Sequence, residues 1–173
     1  MASYLTALLN TTILSRIRRN HGLEHATIHI LAKRVSNLAL AGHSDSNGFW
    51  LMGEVSTEQV TSAVNQALQR LRAGESQLAV HPNCGTNFVT SGTAAGLAGA
   101  FAMLGVGPRS RDKLERLPLA AMLATLALIL SKPLGFRIQQ RITTSGIPGN
   151  LEIIEIIPSR RGRLTAHRIV TRG

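Results

Sequence analysis

The sequence has a single cysteine, Cys84, only six aromatic residues, and nine acids set against nineteen bases. One thiol excludes an intramolecular disulfide framework, and with it the small secreted modules that depend on one. So few aromatics leave no platform on which nucleic-acid bases could stack, so the basic balance alone does not specify an RNA or DNA partner. Charged residues make up 16% of the chain, against about 25% in an average soluble domain. Apolar residues make up 44%, which excludes a disordered polyelectrolyte and implies extensive burial away from water. What is abundant is arginine: sixteen of the nineteen bases, giving a formal charge of +10. A length of 173 residues suits one compact domain with an appendage, not two ordinary domains.

The charges are unevenly spaced. No Asp, Glu, Lys or Arg occurs between Glu75 and Arg109. Within that gap, Phe88 to Val106 is a run of 19 uncharged residues, enough to cross a hydrocarbon core of about 30 Å as a helix. Leu117 to Ser131 adds 15 more, and Lys132 can snorkel while the chain continues to Gly135. The pattern predicts a two-helix transmembrane hairpin over 88–106 and 117–135. Gly92, Gly96 and Ala100 form a small-residue ridge on the first helix, suited to close helix packing or to homo-oligomerisation. Residues 3–14 are apolar and are followed by Arg16, Arg18 and Arg19, the reverse of a secretory signal's charge order. They are expected to lie on the membrane surface or pack on the domain, with the main domain cytoplasmic. Basic residues beside apolar runs suit anionic lipid headgroups better than nucleic acid, which is not expected as a partner.

Outside the hairpin the pattern is α+β. A helix is expected over 17–37 and a strand over 48–55. Ser56 then opens a second helix with Gln59 in a capping-box position, and its apolar stripe ends at Gly74. Residues 77–80 read as a short strand. Two strands, 151–157 and 164–171, flank the basic turn Arg160 to Arg163. The expected architecture is therefore an N-terminal α+β part, 1–87, and a C-terminal β part, 136–173, that completes one membrane-surface domain interrupted by the hairpin at 88–135.

Two segments carry the chemistry. In Asn20-His21-Gly22-Leu23-Glu24-His25, helical spacing puts His21 and His25 one turn apart on one face, where two imidazoles can share an ion. Glu24 lies near the same edge, placed to take a proton from a metal-bound water. His29 continues the stripe. The second segment is His81-Pro82-Asn83-Cys84-Gly85-Thr86-Asn87, a tight loop that presents an imidazole and a thiol three residues apart. His21 and His25 with Cys84, or with His81 in its place, make a three-ligand site with one open position, the form of a catalytic zinc (Zn2+) or ferrous (Fe2+) centre. An alternative use of the same atoms makes Cys84 a nucleophile, with a histidine as base and Asn83 or Asn87 orienting.

The H-x-x-E-H order resembles the inverzincin metallopeptidases, and that resemblance implies zinc on the histidines and Glu24 as general base. The blocks Arg19 to Thr27, Gly74 to Val80 and His81 to Asn87, with Leu134-Gly135, Gln139 and Thr143-Thr144, resemble an uncharacterised prokaryotic family of small two-span membrane proteins. That resemblance implies a membrane location and supplies no activity. The expected function is a membrane-embedded metal-dependent hydrolase of a peptide or small amide bond. The rival is a non-enzymatic membrane subunit with a structural His/Cys cluster.

Overall fold

The computed structural model describes residues 2–36, 38–161 and 164–173. The chain divides into two units, one made of Met1–His81 with Gln140–Gly173 and the other of Pro82–Gln139.

The first unit is α+β. It contains α1 (Ala2–Leu9), α2 (Thr12–Arg34), β1 (Ala41–Asp45), β2 (Gly48–Met52), α3 (Thr57–Arg72), a 3₁₀ turn at Ser76–Ala79, β3 (Glu152–Arg161) and β4 (Leu164–Arg172). The strands form one antiparallel sheet in the order β1-β2-β4-β3. Phe49 and Leu51 of β2 are fully buried while Trp50 and Met52 are not, the alternation of a sheet covered on one face. Ile169 of β4 joins Phe49 and Leu51 in a core with Leu23, Ile30 and Leu31 of α2 and Val60, Val64 and Leu68 of α3. Each such side chain contributes about 1.5–3 kcal/mol on burial. The capping box at Ser56 and Gln59 is present, with the Ser56 side chain accepting from the Gln59 amide.

The N-terminal apolar segment is two helices, because Thr11 turns its hydroxyl back onto the Leu8 carbonyl and ends the first. Residues 76–79 form a 3₁₀ turn instead of the expected strand. Leu78 and Ala79 are buried as neighbours, a pattern that alternation along a strand does not produce. The tip of the predicted basic turn, Gly162 and Arg163, lies outside the described residues. Strand β1 was not expected. Its Ala-Gly-His-Ser-Asp sequence has little strand propensity, and it holds its place as an edge strand paired with β2.

Arg18 and Arg19 tie α2 to the segment 141–150 by hydrogen bonds. Arg18 donates to Arg141 O and Thr144 O at 3.0 and 3.3 Å, and Arg19 to Asn150 Oδ1 at 2.7 Å. Burial lowers the Arg18 pKa from its ordinary value. Asn20, fully buried, donates to Asp45 O at 2.8 Å and accepts from the Thr171 hydroxyl at 2.7 Å, which joins α2 to β1 and β4.

The second unit holds α4 (Gly85–Ala102), α5 (Ser110–Leu130) and α6 (Lys132–Ile138), followed by a π-helical turn at Gln139–Thr143. Helix α4 packs along α5 with Gly99 against Ala124, and Ser131 Oγ donates to Ser91 Oγ at 3.1 Å. The helices do not keep the expected bounds of 88–106 and 117–135. Helix α4 ends at Ala102, and α5 begins at Ser110 within the charged link, where Arg111 pairs with Glu115 one turn on. Among the described residues no single helix is long and apolar enough to cross a membrane, because Gly, Ser and Thr dilute α4 and charges open α5. One bent pair, Ser110–Leu130 with Lys132–Thr143 and an angle of 44°, has the length and composition to do so. Large apolar side chains of this unit are exposed, including Phe88, Val89, Leu97, Phe101, Ile129 and Leu130.

Candidate metal centre

Helix α2 carries the histidines, and its neighbours fix their protonation. His21 Nδ1 lies 2.9 Å from Thr143 O, and His25 Nδ1 lies 2.8 Å from Ala79 O. A carbonyl only accepts, so each Nδ1 bears a proton, and in the neutral ring Nε2 is the nitrogen left to bind an ion. This is the arrangement by which proteins orient metal-binding imidazoles, with the far nitrogen donating to a backbone oxygen. His29 is held the other way round, its Nε2 donating to Val80 O at 2.8 Å.

Glycine 22 makes the first of these bonds possible. A Cβ there would meet Ser145 O at 2.1 Å, so only glycine lets the segment 143–145 lie flat on α2. The Ser145 amide bonds to Arg18 O at 2.9 Å, and Thr143 O is delivered to His21.

The rings of His21 and His25 are 4.4 Å apart, centroid to centroid. Cys84, buried and three residues beyond His81, caps the first turn of α4, the end of a helix where negative charge is favoured. One ligand atom each from His21, His25 and Cys84 lie within 4.8 Å of one another. This set could hold a metal ion.

His81 lies outside that group of three. Its ring is 4.7 Å from that of His29 and 5.7 Å from that of His25, so the imidazoles run in a string from His21 through His25 and His81 to His29. Glu24 is 4% exposed and extends to β1, where Oε2 accepts the Ser44 hydroxyl at 2.5 Å. The missing side chain of Gly42 makes room for its carboxylate. Asn87 donates to Pro82 O at 3.0 Å and ties the loop to itself. The sequence reading missed the acceptors on residues 79, 80 and 143, for which a main-chain carbonyl leaves no residue signature. It also missed Ser44, which lies in the unexpected strand.

Residues 16–156 match the profile of a domain of unknown function, DUF6391. The chain belongs to the DUF6391 family. An uncharacterised protein of Picosynechococcus sp. is similar to it, with 40% identity over 150 residues, covering 81% of this chain and 71% of the relative. The DUF6391 match contains both histidine segments and Cys84. No solved structure matches the chain.

Proposed function

We propose that this DUF6391 protein is a metal-dependent hydrolase, with one zinc or ferrous ion held by His21, His25 and Cys84. The observation that carries the reading is the convergence of those three ligand atoms, with both imidazoles oriented through Nδ1 by backbone carbonyls. Three protein ligands leave one position for water, the form of a catalytic site. The ion supplies a water acidic enough to ionise near neutral pH. Glu24 is the proton acceptor, and a peptide or small amide bond is the substrate class. The exposed apolar residues of the second unit support attachment to a membrane, with the bent pair α5 and α6 as the segment that enters it.

A second reading has its own support. The Glu24 carboxylate is engaged by Ser44 and packed beside Gly42, which suits a structural centre in a non-enzymatic membrane subunit. Elemental analysis of the purified protein decides whether either holds. Near-stoichiometric zinc or iron that disappears in His25→Ala supports a centre, and metal-free wild-type protein of unchanged stability overturns both readings. Glu24→Gln separates them. A hydrolase retains its metal and loses activity, whereas a structural site retains its metal and has no activity to lose.

A further inference from the structure

We infer that the second unit contains a binding groove for the aliphatic chain of a monoanionic amphiphile, of the long-chain carboxylate class. The groove, about 570 Å³, runs beside the first turns of α4 and the junction of α5 with α6. Its volume is that of a small-molecule site, which ordinarily falls at about 300–1,000 Å³. Phe88, Leu128 and Phe136 provide apolar walls, and Gly92 leaves the floor open, since a Cβ there would meet nothing within 4 Å. The one charged group in the lining is Lys132. Asn83, Asn87 and Ser91 add uncharged polar groups to the lining, but with one cation a multiply charged ligand such as a nucleotide or sugar phosphate finds too little counter-charge there. A hydrocarbon chain fills the apolar part, and a single negative head pairs with the single ammonium of Lys132. The groove lies wholly within Pro82–Gln139, so its occupant is inferred independently of the metal, and failure here leaves the metal reading untouched.

The test uses the full-length protein in phosphatidylcholine nanodiscs, with dodecanoate and methyl dodecanoate as probes and empty discs as the partitioning control. The expected result is saturable one-to-one binding of dodecanoate above the empty-disc background, with the methyl ester clearly weaker. Gly92→Leu fills the floor and should weaken binding about tenfold or more. Gly96→Leu, also in open space but outside the groove, should bind like wild type. Lys132→Gln should abolish the preference for acid over ester while the ester's own affinity stays. The inference is overturned by uptake no greater than that of empty discs, by equal effects of the two leucine substitutions, or by wild-type protein that binds acid and ester alike.

Discussion

Replacing Gly22 by alanine sets two physical effects against each other. Helix propensity alone favours alanine by about 1 kcal/mol in the middle of α2. The packing opposes it. The new methyl carbon would sit 2.1 Å from Ser145 O, 3.0 Å from its carbonyl carbon and 3.2 Å from Ala79 Cβ. The carbonyl must retreat by more than 1 Å to reach ordinary contact, and backbone is harder to displace than a side-chain tip. Overpacking of this kind costs about 1–3 kcal/mol. The retreat also strains the Ser145–Arg18 and His21–Thr143 hydrogen bonds, at about 1 kcal/mol each. Net destabilisation is then about 2–4 kcal/mol, or a fall of about 8–16 °C in Tm for a unit of this size. Trp50, the single tryptophan, lies on β2 and reports unfolding of the first unit by its fluorescence. His21 would lose its orienting carbonyl, and metal affinity should drop about 10- to 100-fold. Gly96→Ala is the control, because its methyl meets nothing within 4 Å and propensity acts alone there. If Gly22→Ala is as stable as wild type or more so, the close approach of 143–145 to α2 is refuted.

Asn20→Ala removes the partner of the part-buried Asp45 carbonyl and of the buried Thr171 hydroxyl and should cost about 2–4 kcal/mol in urea unfolding; a loss under about 1 kcal/mol would remove it from the framework. His167 is 1% exposed, and burial lowers its pKa from the ordinary value even though the Glu58 charge opposes that shift. The unfolded chain therefore takes up a proton below about pH 6.5 that the folded chain refuses, and stability falls on acidification by up to about 1.4 kcal/mol per pH unit. Urea midpoints at pH 7.5 and 5.5 should lie closer together in His167→Gln, and an unchanged gap would contradict this. Ser56→Ala removes the cap of α3 and should cost about 1 kcal/mol by the same fluorescence melt.

Much of the first unit was legible because periodicity and packing agree there. The stripe from Val60 to Leu71 and the Ser56–Gln59 cap predicted α3, and the strand expected over 48–55 forms as β2 at Gly48–Met52. The spacing of His21 and His25 was likewise readable as one face of a helix. Strand β1 was not, since its residues favour turns and only pairing with β2 makes them extended. That omission hid Ser44 and Gly42, and with them the direction of Glu24. In the second unit an uncharged run did not translate into helix bounds. Charges at Arg111, Asp112 and Glu115 are compatible with helix, so α5 starts in the link, and the apolar stretch breaks after Ser131.

The three carbonyls that anchor the imidazoles come from residues 79, 80 and 143, just before the chain leaves the first unit and just after it returns. Departure and re-entry are thus pinned to a single helix by His21, His25 and His29. The sheet and its two covering helices draw their shared apolar core from residues outside the intervening 58, Pro82–Gln139. A short flexible bridge in place of those residues should therefore leave the first unit folded with its histidine string intact.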